Sequence, residues 1–93
     1  LDLENETIDA SAVSVYPNPA TDNANVQLSL NGDEDVFVIV RDLTGKTIQT
    51  INAGRLNAGA HDISINLDGV AQGMYTVTIS AGNSNITQKM IVK

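Results

Sequence analysis

Along most of the chain, apolar residues recur at every second position. Val13 and Val15 alternate with Ser14 and Tyr16, and Val26, Leu28 and Leu30 alternate with Gln27 and Ser29. Successive side chains of a strand point to opposite faces, so a period of two predicts half-buried strands. Ile63, Ile65 and Leu67 repeat the pattern, as do Tyr75, Val77 and Ile79, and finally Ile86, Gln88, Met90 and Val92. The run "VFVIV", Val36 to Val40, is apolar throughout. It is too short for a helix to be preferred and predicts a central strand covered on both faces.

Turn residues separate these segments. Asp42 and Gly45 in "RDLTGKT" predict a tight turn that joins the central strand to "TIQTI" (47–51) as a hairpin. "NAGRLNAGA" (52–60) reads as a loop containing Gly54 and Gly59, "DGVAQG" (68–73) as a break, and "AGNSN" (81–85) as a second turn. No ten-residue stretch carries a helical period, and no internal repeat is visible. The chain therefore predicts an all-β fold: a seven-stranded antiparallel β-sandwich with an immunoglobulin-like outline. An incompletely closed barrel is the alternative.

Composition narrows the functional classes. The 93 residues fit one domain, and a domain of this size buries only roughly 60 to 65% of its unfolded surface. Tyr16, Phe37 and Tyr75 are its only aromatic residues, so the core is thin and aliphatic, and no cofactor is expected. With no cysteine, neither a disulfide framework nor a thiolate metal site is possible. The net charge of −6 argues against nucleic acid and anionic lipid, which need clustered Lys or Arg. No apolar run approaches the ~18 residues of a membrane span, so no direct membrane insertion is expected. The first residues, with Asp2, Glu4, Glu6 and Asp9, are acidic where a signal peptide would be basic and then apolar. Residues 1–11 read as an acidic linker or frayed terminus, and residues 12–93 as the domain. The chain begins at Leu1 without methionine, as a piece of a longer protein would.

Residue types that carry chemistry are sparse. His61 is the only histidine and has no serine or cysteine partner nearby in sequence; it reads as a half-exposed residue at a loop-to-strand junction rather than a catalytic group. Asp33, Glu34 and Asp35 lack the alternating spacing of a calcium loop and read as an acidic, solvated hairpin tip, so no metal site is assigned. "NET" (5–7) and "NIT" (85–87) match the glycosylation sequon, a pattern short enough to arise by chance.

The strongest local features lie at the two ends. Pro17 and Pro19 in "YPNP" each remove a backbone donor and restrict the preceding residue, Tyr16 or Asn18, to extended conformations, so a strand can finish there but not continue. Lys89 and Lys93 are four apart, so in a strand they share a face with Ile91 between them, while Gln88, Met90 and Val92 take the other face. Lysines on an edge strand also discourage edge-to-edge pairing, which is the structural reading of the same stripe.

Together, "VYPNPAT", "VIVRDLTGKTI", "LDGVAQGMYTVTI" and the closing "ITQKMIVK" resemble, in order and spacing, the type A C-terminal sorting domain of cargo for the type IX (Por) secretion system. The resemblance covers about residues 13–93. It implies a non-catalytic secretion signal from a Gram-negative Bacteroidetes bacterium, attached to an N-terminal cargo domain. It further implies export through the periplasm, recognition by an outer-membrane translocon and its shuttle protein, and removal by a surface sortase-like peptidase, with the cargo released or attached to lipopolysaccharide. By position, Pro17, Asn18 and Pro19 match the opening motif, Gly45 the hairpin glycine, Gly73 and Tyr75 the Gly-apolar-Tyr motif, and Lys89 and Lys93 the terminal lysine motif. Arg41 departs from the aromatic that many relatives carry before the aspartate. Gly73 and Tyr75 read as fold residues, a positive-φ glycine and a ring packed in the core; Lys89, Ile91 and Lys93 are the candidates for direct recognition. The alternative is an accessory carbohydrate-binding or adhesion sandwich of a secreted enzyme, although the absence of Trp leaves little from which to build a sugar-stacking platform.

Overall fold

The computed structural model describes residues 13–16, 22–82 and 84–93. Seven strands follow one another: β1 (Ser14–Tyr16), β2 (Asn23–Leu30), β3 (Glu34–Asp42), β4 (Thr47–Leu56), β5 (Gly59–Asn66), β6 (Gly73–Ala81) and β7 (Ser84–Val92). They form a three-stranded sheet in the order β1-β2-β5 and a four-stranded sheet in the order β4-β3-β6-β7. Every pairing is antiparallel. The two sheets make an open, immunoglobulin-like sandwich, as the period of two predicts.

The core is the set of alternate residues from both inner faces. Ala24, Val26, Leu28 and Leu30 of β2 and Ile63 and Ile65 of β5 meet Val36, Val38 and Val40 of β3, Val77 and Ile79 of β6, and Met90 and Val92 of β7, all buried. Each Val, Leu, Ile or Met side chain among them contributes on the order of 1.5–3 kcal/mol through apolar area removed from water. Among the described residues no charged side chain is buried, and the core is apolar apart from the Tyr75 hydroxyl at its edge.

Register sets the two ends of the sandwich. Gly73 lies opposite Val92, and Asp42 opposite Tyr75. The β3–β4 hairpin, the start of β6 and the end of β7 therefore share one end. Val36 lies opposite Ala81, and Ala81 opposite Ser84, which puts Glu34 and the β6–β7 turn at the other. β1 runs antiparallel to β2 with Ser14 opposite Gln27 and Tyr16 opposite Asn25, and its edge approaches β7 across the sandwich.

Three expectations change. Val36–Val40 is central within its sheet but covered on one face only: Phe37 is 37% exposed and Ile39 half-buried. A two-layer sandwich gives each sheet one inner face, and the outward Phe37 and Ile39 suit the pleated surface through β propensity instead. Second, most of the loop expected at 52–60 is strand. β4 continues to Leu56 and β5 starts at Gly59, leaving Asn57 and Ala58 between them. The glycine signal was real but marks a bulge: the register shifts between Val36 and Phe37 opposite Gly54 and Asn52, and Gly54 takes φ 77°. Third, Asp33–Asp35 is no hairpin tip. β2 and β3 lie in different sheets, so residues 31–33 cross between layers, and Glu34 and Asp35 already belong to β3. The crossing is tied by the Ala58 amide, which donates to Asp33 Oδ1 at 2.9 Å.

Candidate recognition surface

β7 is an edge strand of the four-stranded sheet, and its alternation sorts its side chains by face. Met90 (0% exposed) and Val92 (3%) point into the core, whereas Ile91 is 39% exposed. Lys89 and Lys93 are exposed as well. Burial of Met90 and Val92 fixes the strand's rotation, because a slip of one residue would bring the lysines inward. Lys89 and Ile91 thus stand on the outer face of the sheet, and Lys93 follows directly beyond the strand.

β6 aligns this strand with the remaining motif residues. Gly73 opens β6 opposite Val92 with φ 152°, a conformation that favours glycine; the space a Cβ would enter is open, with the Tyr75 ring 3.9 Å away. Tyr75 sits opposite Met90 with its ring buried at 7% exposure. Its hydroxyl donates to Ala71 O at 2.6 Å, bonding back to the connection that crosses from β5. This is the tyrosine-corner arrangement of immunoglobulin-like sandwiches, and it holds the crossing chain where β6 begins.

The β3–β4 hairpin is organised by Asp42. Its Oδ1 accepts from the amides of Thr44 (2.9 Å) and Lys46 (3.1 Å) and from the Thr44 hydroxyl (2.5 Å). The Gly45 amide donates to Asp42 O at 3.0 Å, and Gly45 takes φ 90°, supplying the positive φ of the turn. The Thr44 hydroxyl, with smaller help from the backbone donors and the Lys46 charge, lowers the Asp42 carboxyl below its ordinary value.

Gly45, Gly73, Tyr75, Lys89, Ile91 and Lys93, scattered over half the sequence, therefore gather at one end of the four-stranded sheet. Pro17, Asn18 and Pro19 lie outside the described residues. Across the outer face, Thr76 is opposite both Arg41 and Lys89, and Met74 is opposite Ile91. Arg41, Met74 and Thr76 were absent from the sequence-derived candidates. The alternation in "MYTVTIS" places Met74 and Thr76 opposite in face to Tyr75, but their juxtaposition with β7 depends on register.

The remaining polar features lie elsewhere in the fold. His61 is the third residue of β5, half-buried, with Nε2 donating to Asn57 O at 2.6 Å. Among the described residues no group of His, Asp or Glu is arranged to hold a metal ion. Tyr16, on the opposite sheet, donates to Asp62 Oδ1 at 3.2 Å. Desolvation first, then the Asp62 charge and this bond, raises its phenol above the ordinary value.

The described motif residues of this small immunoglobulin-like sandwich thus share the hairpin end of its four-stranded sheet. The chain belongs to the family of secretion system C-terminal sorting domains, which matches residues 14–93; it is a sorting-signal domain of type IX secretion. Members are generally non-catalytic, and membership implies a Bacteroidetes source, an attached cargo, interaction with the secretion machinery, and export to the cell surface or the medium. Among solved structures the chain is similar to the crystal structure of dimeric latent PorU from Porphyromonas gingivalis, at 21% identity and a TM-score of 0.69. The match covers 86% of this chain and 9% of that one, and at this identity it establishes the fold. No curated protein sequence matches the chain significantly.

Proposed function

We propose that residues 12–93 carry their cargo through the type IX route by presenting Lys89, Ile91 and Lys93 to the outer-membrane translocon and its shuttle protein. Residues 1–11 serve as an acidic linker within which a surface sortase-like peptidase severs the domain from the cargo, which is then released or anchored. The observation that supports this most is the division of β7, with Met90 and Val92 buried and Lys89 and Ile91 exposed. The same strand that completes the core thereby offers a cationic and apolar stripe to solvent.

A competing reading is favoured by β7 being a sheet edge: its lysines would serve to discourage pairing with other chains. Export separates the two. Residues 1–93, fused behind a periplasmically exported reporter in a bacterium with this system, are expected to bring the reporter to the surface or medium. Lys89→Ala with Lys93→Ala is expected to trap it in the periplasm while the domain stays folded, because exposed charges contribute little to stability. Normal export of the double variant, with new aggregation, would leave edge protection as the role of the lysines.

A further inference from the structure

The two sheets present very different outer faces. On the three-stranded sheet the outward positions Asn25, Gln27, Ser29, Asp62, Ser64 and Asn66 are polar, with the small Ala60 opposite Ser29, and the face bonds to itself: Ser64 Oγ donates to Asn25 Oδ1 at 3.2 Å. Tyr16 is the large ring on that side, and its hydroxyl is engaged by Asp62. On the four-stranded sheet, Phe37 (37% exposed), Met74 (41%) and Ile91 (39%) stand outward, with Ile39 half-buried between strands. The exposed Leu43 and Ile48 belong to its hairpin and edge. Apart from Tyr16, every large exposed apolar side chain among the described residues is therefore on this sheet or its hairpin.

Charge has the same bias. The chain is acidic, yet four of its five Lys and Arg residues, Arg41, Lys46, Lys89 and Lys93, belong to the hairpin end of this sheet. Arg41 and Lys89 flank Thr76 in one cross-strand row, about 10 Å apart at the usual spacing between strands. Met74 and Ile91 form the adjacent pair toward the chain end. The nearest carboxylate on this sheet, Asp42, is turned into the hairpin by its three donors; Asp22 and Asp68 flank strands of the opposite sheet.

Building on the sorting reading above, we infer that the docking surface extends from β7 across β6 to β3. Arg41 and Met74 act as specificity residues beside Lys89 and Ile91. The occupant that fits is a protein surface with apolar side chains bordered by carboxylates: the apolar pair supplies contact area and the cations supply orientation. A lipid surface fits less well, since the net charge of −6 repels anionic headgroups.

The test uses the 93-residue chain behind the exported reporter, with Lys89 and Lys93 intact. Arg41→Glu and Met74→Asp are each expected to lower surface reporter by at least about tenfold, the effect of losing one interface contact worth ~1.4 kcal/mol. Gln27→Glu, which adds a negative charge to the opposite sheet, should leave export unchanged, and Arg41→Lys and Met74→Leu should restore it. Circular dichroism melts of each chain confirm that export and not folding is being read; if Met74→Asp melts early, Arg41→Glu carries the test alone. Wild-type export of both variants while Lys89→Ala with Lys93→Ala blocks would confine recognition to β7 and overturn the inference. An equal loss with Gln27→Glu would do the same by reducing the effect to net charge. Cosedimentation with phosphatidylglycerol vesicles that Arg41→Glu abolishes would assign the face to lipid. A wild-type fusion left in the periplasm would instead refute the sorting reading itself, and this inference with it.

Discussion

Replacing Tyr75 by Phe isolates one atom of the corner that sets the start of β6. The ring is 7% exposed and Phe retains it, so apolar burial is nearly unchanged. What disappears is a neutral hydrogen bond of 2.6 Å from the hydroxyl to Ala71 O, whose net worth is about 0.5–1.5 kcal/mol. Ala71 is exposed, so its carbonyl regains a water partner and escapes the larger penalty of a stranded acceptor. A loss near 1 kcal/mol lowers the melting temperature of a domain this size by roughly 4–8 °C. Tyr75→Ala removes the ring too and is expected to cost ~3–5 kcal/mol by opening a cavity between β6 and the core. Thermal melts and urea titrations of the wild type, the Phe variant and the Ala variant read both steps, with an unchanged urea slope confirming that stability alone has moved. A Phe variant as stable as the wild type would show that the corner bond holds nothing. One as unstable as the Ala variant would show that the ring's burial was misjudged.

Other perturbations test the remaining parts of the same end. Met90→Ala, at a fully buried position, is expected to cost ~2–5 kcal/mol, while Lys89→Ala next to it stays within about 0.5 kcal/mol; equal costs in urea titration would contradict the assigned faces of β7. Gly73→Ala should destabilise by ~1–3 kcal/mol through its backbone conformation, since φ is 152° and the space itself is open; an unchanged melting temperature would count against that strain. Because Asp42 is more acidic in the folded hairpin than its ordinary value of 3.8, the unfolded chain takes up its proton first. Its contribution to stability is therefore complete above that value and is lost progressively as pH falls below it. An acid titration of Asp42→Ala followed by melting temperature should lack this part of the acid decline, and a curve parallel to wild type would refute the role.

Much of the candidate surface was legible one strand at a time. The alternation of "QKMIVK" separates Lys89, Ile91 and Lys93 from Gln88, Met90 and Val92 without any knowledge of neighbours, and Tyr75 joins Val77 and Ile79 by the same rule. The Asp42–Gly45 turn follows from side-chain chemistry within four residues. The failures occurred where the answer depended on a distant strand. Gly54 and Gly59 look like loop punctuation, yet pairing with β3 extends β4 through a bulge. Arg41 looked like a neutral departure from a motif until β6 placed it in one row with Lys89.

Period, turn residues and the position of Gly and Pro are local properties, so the sequence by itself indicated seven strands, the inward residues of those that alternate, and the Asp42–Gly45 turn. Strand order, register and the choice of which side of "VFVIV" meets the core are properties of chain segments many residues apart. They follow only when two sheets compete to bury their apolar faces against each other, and a shift of one residue would turn every side chain over. That packing leaves Phe37, Met74 and Ile91 facing water beside Arg41 and Lys89, and it brings residues of three strands into one exposed surface.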